Sequence, residues 1–284
     1  MDWIERLNSA VNYIEENIKE PINMEEVSKI ACCSTYHFQR MFTYIAGISV
    51  SEYIRHRRMS LAAVDLQSGK EKVIDVSIKY GYDSPTAFNR AFKSVHGMAP
   101  SLVREEGTIV KAFPPISFKI TIKGDTEMNY RIEKKEAFRI VGISEPLDKE
   151  IEKNFKVVPQ LWGTAAMNGT IPRLTAMMEG VPMGLLGVSS CNELDDWRYY
   201  IAVTSNQPIE SDLEEYIVPD STWAIFSGEG NGQSMQELER RIITEWLPTS
   251  GYEYANAPDV EVYLSSDPEN MKYEVWIPVS KKEN

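Results

Sequence analysis

The sequence predicts two domains, an all-α domain made of two equivalent helix pairs and an α+β domain in which a β-α-β-β unit occurs twice. Three observations predict this fold. One helical pattern recurs after fifty residues near the start of the chain, and one strand pattern recurs after 76 residues near its end. The chain has 284 residues and 43% hydrophobic content, which suits two cores better than one. We place the domains at 1–107 and 129–284, with a linker at 108–128.

Three helices are predicted at the start of the chain. The first runs from Asp2, its N-cap, to about Ile18, because apolar residues recur there at helical spacing. Asn23 is expected to cap the second helix in a pattern that resembles a capping box, and Ser34 to cap the third. A long fourth helix, from Val50 to Leu66, links the first helix pair to the second.

The third helix has an apolar stripe and an opposite polar face, and both return fifty residues later with Asp83 as the expected cap. In the first copy the stripe is Phe38, Met41, Phe42 and Ile45, and the polar face is Tyr36, Gln39, Arg40 and Thr43. In the second copy the stripe is Phe88, Ala91, Phe92 and Val95, and the polar face is Thr86, Asn89, Arg90 and Lys93.

Two helices joined by a tight turn, the second with a polar outer face, form the helix-turn-helix pattern. Arginine matches the guanine edge, and glutamine or asparagine matches adenine. Two such helices could enter successive major grooves about 34 Å apart, so one molecule would read a bipartite DNA site. The alternative is a pair of ordinary surface helices. Two copies in register, each with an arginine at the same place, favour DNA reading, which requires Arg40 and Arg90 to face outward.

Charge is distributed unevenly along the chain. The net charge is −12, but residues 35–104 carry ten Lys and Arg against five Asp and Glu, while the segment from Thr108 onward carries 17 against 28. A basic module joined to an acidic one suits a DNA reader attached to a domain that attracts cations. The start of the chain has no signal-peptide pattern and no apolar run of membrane-spanning length, so we expect a cytoplasmic protein.

No metal site or cofactor is predicted. The three cysteines have none of the spacings that build a zinc site or a disulfide framework. The chain lacks a GxSxG elbow, an HExxH motif and a phosphate-binding glycine loop, and no histidine follows His96. We therefore expect a binding protein rather than an enzyme.

The acidic half is predicted as two β-α-β-β units, the first with strands in Tyr130 to Ser144, Gly184 to Ser189 and Trp197 to Val203 and a helix from Asp148 to Met167 that carries Trp162. The second has strands at Thr222 to Ser227, Val260 to Leu264 and Tyr273 to Val279, with a helix from Ser234 to Leu247. Two related half-sheets would enclose a central ligand cleft at their pseudo-twofold axis.

The final strand is predicted to carry an acidic aromatic site. Its alternation puts Glu274 and Trp276 on one face. A buried carboxylate beside aromatic rings would attract a lipophilic cation, which would keep the carboxylate ionised. The alternative is that Glu274 lies on a solvent face beside an exposed tryptophan, or pairs with Arg198 at the matching position of the first unit.

Two strings, STYHFQRMFTYIAGISVSEYIRHRRMSLAA and VIDVSIKYGYDSPTAFNRAFKSVHGMAPSLVR, resemble the signature of AraC/XylS regulators, in the Rob-type variant that puts this module first. The resemblance implies contacts of Tyr36, Gln39, Arg40, Thr86 and Arg90 with bases, and of Ser34, Arg55 and Lys93 with phosphates. From its place on the repeated polar face, we expect Asn89 to bind DNA as well. It also implies activation through RNA polymerase. Pro85 and Thr86 stand where relatives often carry glutamines, so the base preference of the second half-site stays open.

The strings NYRIEKKEAFRIVGIS, WRYYIAVTS, DVEVYLS and YEVWIPVSK resemble the GyrI-like effector-binding domain. The resemblance implies that Glu274 is the acid of the ligand pocket, and we expect Trp276, Tyr200 and Trp162 to be its aromatic residues. Two alternatives are a hydrolase with Glu274 as general base, as in some stand-alone relatives, and a protein-interaction module.

Overall fold

The computed structural model describes residues 3–119, 127–191, 196–209, 211–265 and 270–282. The chain divides into two compact units. The first comprises Met1–Thr35 and Ala46–Lys119, and the second comprises Tyr36–Ile45 and Ile120–Asn284. The predicted third helix therefore belongs to the second unit, although it lies early in the sequence. Within the described ranges, no helix is both long enough and apolar enough to cross a bilayer.

Six helices precede the sheet, in agreement with the predicted pattern. They are α1 (Trp3–Glu16), α2 (Met24–Ala31), α3 (Thr35–Ala46), α4 (Val50–Gln67), α5 (Val73–Lys79) and α6 (Pro85–His96). A short 3₁₀ helix, Pro100–Arg104, follows them. The linking helix, α4, ends one residue beyond its predicted end.

The helix caps follow the sequence prediction at one position and differ at another. Asn23 caps α2 as predicted, because its side chain accepts hydrogen bonds from the backbone amides of Glu25 and Glu26. The prediction of Asp83 as the cap of α6 is wrong. Ser84 takes that place and accepts a hydrogen bond from the Ala87 amide, with Pro85 at the first helical position, where a missing N–H costs nothing. Asp2 lies outside the described residues.

The first unit has an apolar core between its last three helices, and an internal ion pair. Helices α4, α5 and α6 pack around Tyr80, Phe88 and Phe92, all of them buried. Arg57 on α4 binds Glu15 on α1 with two nitrogen atoms, at 2.8 and 2.7 Å, and donates a third hydrogen bond to the Phe113 carbonyl oxygen. The first part of the predicted linker, as far as residue 119, is therefore tied to the helices of this unit.

The second unit contains nine strands and four helices within its described residues after 126. The strands are β1 (Tyr130–Lys135), β2 (Phe138–Pro146), β3 (Leu185–Cys191), β4 (Trp197–Thr204), β5 (Glu214–Val218), β6 (Ser221–Gly230), β7 (Tyr252–Tyr254), β8 (Asp259–Tyr263) and β9 (Met271–Lys281). The helices are α7 (Ile151–Met167), α8 (Thr170–Ala176), α9 (Gly232–Arg241) and the short α10 (Leu247–Thr249), with a π-helical turn at Ile242–Trp246 before α10. Strands β5 and β7 were not predicted, and β7 has only three residues.

The strands form one antiparallel sheet in the order β1-β6-β9-β8-β3-β4-β2-β5, with β7 paired to β9. The order confirms the predicted duplication, since each half has four strands and the halves meet at the β3–β8 pair. Strand β9 occupies in its half the place that β4 occupies in the other. The predicted two half-sheets are therefore joined edge to edge by hydrogen bonds at the axis that relates them.

The two faces of the sheet carry different apolar clusters. Val141, Tyr199 and Ile201 lie on one face and pack with residues of α7 and α8. Tyr200, Val260 and Trp276 lie on the other, because neighbouring residues of a strand point to opposite faces. The side chains of only one face can therefore reach a cavity that lies beneath α7.

Candidate functional site

A cavity of about 550 Å³ opens in the second unit over the central strand pair, β3–β8. Its floor is formed by Ser189, Tyr199, Glu261 and Tyr263, and its walls include residues of α3, α7 and α9. Helices α7 and α9 are the helices of the two repeated halves. The cavity therefore lies where the predicted central cleft was expected, and its size is within the range of sites for drug-sized ligands.

Glu261 is the carboxylate on the floor of this cavity. Its register partner across the central pair is Gly187, where a side chain would collide with both Glu261 and Tyr199. A Cβ at that glycine would lie 2.2 Å from the Tyr199 hydroxyl and 2.6 Å from Glu261 Oε2. The missing side chain of Gly187 therefore provides the space in which the carboxylate and the phenol meet.

Three aromatic residues hold Glu261 in place. The Tyr199 and Tyr263 hydroxyls donate to Glu261 Oε2 at 2.9 and 2.7 Å, and the Trp162 indole N–H donates to the Tyr199 oxygen at 2.9 Å. Trp162 also contacts the Tyr263 ring, with centroids 4.8 Å apart. Burial, reinforced by Glu261, raises the pKa of both tyrosines well above its ordinary value, so both phenols stay protonated as donors.

Burial and the nearby charge of Glu239 raise the pKa of Glu261 to about 7, although the tyrosine hydrogen bonds oppose the shift. Within the described residues no Lys or Arg forms an ion pair with this carboxylate. Glu261 is thus a largely buried acid that titrates near neutrality. A cation that entered the cavity would favour its ionised form.

Two further carboxylates, Glu239 and Asp259, lie close to this site and bind Arg40 of α3. Arg40 Nη2 is 2.7 Å from Glu239 Oε1, and Arg40 Nη1 is 2.5 Å from Asp259 Oδ2. Burial opposes ionisation of Asp259, but Arg40 and His37 outweigh it and hold its pKa below the usual range. Arg40 is thus shared by two carboxylates, and the ionised form of Glu261 adds a third negative charge nearby, which leaves this region with excess negative charge.

The structure places one of the four predicted ligand-site residues, Trp162, in the cavity. Glu274, Trp276 and Tyr200 lie on the opposite face of the sheet and do not line it. Glu274 accepts a hydrogen bond from the Trp276 indole at 2.8 Å and pairs with Arg131 at 2.8 Å, instead of with Arg198. Glu274, which was predicted as the acid of the pocket, therefore does not lie in this cavity, because its strand turns it to the opposite face of the sheet.

The predicted DNA-binding residues are in two different environments. On α6, Thr86, Asn89, Arg90 and Lys93 are at least partly exposed, as predicted, and so is Arg55 on α4. On α3, Tyr36, Gln39 and Arg40 are buried, with exposed fractions of 7, 7 and 8%. Ser34, just before α3, is half-buried. The prediction that Arg40 faces solvent is wrong in this structure, because Arg40 is bound to Glu239 and Asp259.

Residues 128–280 match the family model described as a GyrI-like small molecule binding domain. The chain belongs to the GyrI-like family. Residues 27–106 match a second model, a helix-turn-helix domain. Both resemblances stated from the sequence are thus confirmed, and the cavity lies in the GyrI-like part of the chain, with α3 contributing residues to its wall.

Relatives of this GyrI-like protein include transcription regulators. It is 23% identical to the transcriptional regulator Rob of Salmonella typhimurium, over 99% of this chain and all of that protein. It is 36% identical to the HTH-type transcriptional activator AarP of Providencia stuartii, over 36% of this chain and 76% of AarP. Among solved structures, SAV2435 bound to tetraphenylphosphonium has a TM-score of 0.48 at 20% identity and covers 54% of this chain and 94% of its own.

Proposed function

We propose that this protein is a sequence-specific DNA-binding transcription regulator, an activator, whose GyrI-like part binds a lipophilic cationic effector through Glu261. The observation that carries the proposal is Glu261 itself. Its carboxylate lies on the floor of a cavity, accepts two phenolic hydrogen bonds on one oxygen and titrates with a pKa of about 7. Burying such a charge is costly unless it is paired, and a bound cation would provide the pairing.

The lining of the cavity favours a cation that is also apolar. Tyr36, Trp162, Tyr199 and Tyr263 present aromatic surface, and Phe155 and other apolar side chains line the cavity as well. Aromatic faces attract cations, and they do so more strongly where water is excluded. A strongly hydrated metal ion or ammonium would lose much of its hydration on entering the cavity. A cation with an apolar surface would instead gain free energy, because that surface would be transferred out of water.

The exposed polar face of α6 supports the DNA-binding part of the proposal. Arg90 and Asn89 belong to the residue types that read base edges, and Lys93 belongs to those that bind phosphates. We assign base contacts also to Tyr36, Gln39 and Arg40 of α3, in a state in which that face is free. The proposed binding site is then bipartite, and the names of Rob and AarP support a role in transcription.

The proposal extends to partners and location. An activator must contact RNA polymerase or help it to bind, so we propose RNA polymerase as a protein partner and the cytoplasm as the place of action. We assign no catalytic role to Glu261 and propose that the protein is not an enzyme. A mass spectrum of an effector recovered after incubation with the protein should therefore show the unchanged compound.

The effector test uses two probes of the same shape and opposite charge. Isothermal titration calorimetry of the full chain should detect binding of tetraphenylphosphonium and none of tetraphenylborate. The Glu261→Gln variant should lose most of the affinity for the cation, since the charge is removed while an oxygen acceptor remains for the tyrosines. Equal binding of both probes, or an unchanged affinity in the variant, would contradict the proposed site.

The DNA test separates base reading from phosphate contact. A duplex is first selected from a random library by the full-length protein. Arg90→Ala should then cost about 1–3 kcal/mol on that duplex and relax preference at one position. Lys93→Ala should weaken binding to all sequences alike and lower the salt slope by about one. A uniform loss across sequences for Arg90→Ala would argue against base reading by α6.

A further inference from the structure

The polar face of α3 is buried within the second unit, against residues of α9 and β8. Arg40 is held there by Glu239 and Asp259, and its neighbours on that face, Tyr36 and Gln39, are buried as well. The equivalent face of α6 is exposed. Since the two faces repeat each other in sequence, their different environments come from what surrounds α3.

The contacts of α3 are specific in their chemistry. Besides the two ion pairs of Arg40, the Tyr44 hydroxyl donates to Glu239 Oε2 at 2.7 Å. The His37 ring stacks on Tyr254, with centroids 4.1 Å apart, and lies 3.6 Å from an Asp259 oxygen. The ring of Tyr36 meets Trp197 edge to face at 5.4 Å.

These contacts join α3 to the effector cavity. Tyr36, Arg40, Thr43 and Tyr44 line it together with Glu239 and Glu261. The guanidinium of Arg40 is therefore a cation of the protein itself, bound at the acidic cavity in which the proposed effector would bind. An incoming cation and Arg40 would repel each other and compete for Glu239.

We propose that α3 is an internal occupant of the effector site, held there by Arg40, and that a lipophilic cation releases it for DNA. The proposal rests on the function proposed above and names its regulation. In the held state the first recognition face is buried and only α6 is free to read a groove. In the released state Arg40 is free, and both halves of the bipartite site are contacted.

The proposed switch obeys the rules of a population shift. A cation favours the released state only by the factor by which it binds that state more tightly. Competition for Glu239 and the removal of a like charge supply that difference. Coupling between sites in proteins is commonly about 5- to 150-fold, so we expect tetraphenylphosphonium to raise DNA affinity roughly tenfold.

The test is hydroxyl-radical footprinting of the full-length protein on its selected duplex, with and without tetraphenylphosphonium. The wild type should protect one groove segment without the cation, and a second one, about 10 base pairs away, with it. The Asp259→Asn variant, which removes one partner of Arg40 without altering a residue that lines the cavity, should protect both segments without the cation. It should also bind DNA roughly tenfold more tightly.

Glu237→Gln is the matched control. Glu237 lies on α9 two residues before Glu239 and pairs with Arg240 at the surface, so this variant should behave as the wild type. Tryptophan fluorescence checks that each variant is folded, and Glu239→Gln replaces Asp259→Asn if the latter does not fold. Its footprint without the cation should also cover both segments.

Each outcome separates the two proposals. If calorimetry shows the cation bound but the footprint stays at one segment, release of α3 by the effector is refuted while the effector site stands. If the wild type protects both segments without the cation, or if Asp259→Asn and Glu239→Gln both leave the footprint unchanged, the holding role of Arg40 is refuted. If the full-length protein selects no sequence from the random library, the proposed DNA-reading function is refuted, and this inference is refuted with it.

Discussion

Replacing Glu261 by Gln should stabilise the free protein at pH 8 while weakening its binding of a cation. The two effects have opposite signs because the carboxylate is costly to bury without a partner and favourable with one. Gln retains an oxygen that can accept from Tyr199 and Tyr263, so the hydrogen bonds are preserved and the charge alone is removed. A residue with only a structural role would show a loss of stability and no specific loss of cation binding.

The magnitude follows from the pKa of Glu261, which burial raises from 4.5 to about 7. At about 1.4 kcal/mol per pKa unit, the difference corresponds to about 3 kcal/mol. Because the folded-state pKa is the higher one, this contribution is complete below about pH 4.5 and is lost as the pH rises through about 7. The free energy of unfolding attributable to this group should therefore fall by about 3 kcal/mol across that window, and the variant should lack the decline.

Urea unfolding followed by tryptophan fluorescence measures the change in the free energy of unfolding, since five of the six tryptophans lie after residue 120. Calorimetry with tetraphenylphosphonium measures the weaker binding of the cation. The variant should lose about 2 kcal/mol or more of binding free energy, roughly thirtyfold in affinity. In the wild type, the affinity should rise between pH 6 and pH 8 as Glu261 ionises. Glu274→Gln is the control, because that glutamate lies outside the cavity and pairs with Arg131.

A Glu261→Gln protein that is less stable than the wild type at pH 8 and binds the cation with unchanged affinity would refute the role proposed for Glu261. Loss of binding in Glu274→Gln, and not in Glu261→Gln, would refute that role as well. In that case the site would lie on the other face of the sheet, where the sequence alone had placed it.

Two further substitutions test how the units are built. Gly187→Ala should lower the stability of the second unit by about 1–3 kcal/mol and weaken cation binding, because its Cβ would displace the Tyr199 hydroxyl from Glu261. Urea unfolding measures the stability and calorimetry measures the binding. Unchanged values would contradict the close approach of these three residues. Arg57→Met should cost the first unit about 3 kcal/mol, since Glu15 would lose its positively charged partner and keep only the hydrogen bond from the Tyr53 hydroxyl. A thermal unfolding scan that shows no shift would argue against a stabilising role of this ion pair.

In the sheet, strand alternation predicts which residues share a face, but not which face borders the cavity. The alternation of β9 correctly separates Glu274 and Trp276 from Val275 and Ile277. It does not say which face the helices α7 and α9 border, because that depends on packing between segments distant in sequence. A signal for the face that lines the cavity was present in β8, where Glu261 and Tyr263 alternate with Val260 and Val262, so that polar groups share one side.

In helix α3 as well, the local sequence pattern predicts only part of the environment of the helix. Its amphipathic pattern correctly predicts a buried stripe at Phe38, Met41 and Phe42. Its polar face was expected in solvent, but Asp259, which binds Arg40, lies 219 residues further along the chain. A local pattern predicts which face of a helix is apolar, and it contains no information on a distant acidic partner for the other face.

The charges at the cavity also determine what kind of signal could release α3. A guanidinium stays protonated at any physiological pH, and Arg40 and His37 hold the pKa of Asp259 below its usual range. The Arg40–Asp259 pair therefore keeps both charges when the pH changes within the range of a living cell. The proposed release of α3 therefore needs a competing positive charge at the same carboxylates, which a bound cation would supply. Titration of Glu261 near neutrality would then adjust the affinity for that cation without itself freeing the helix.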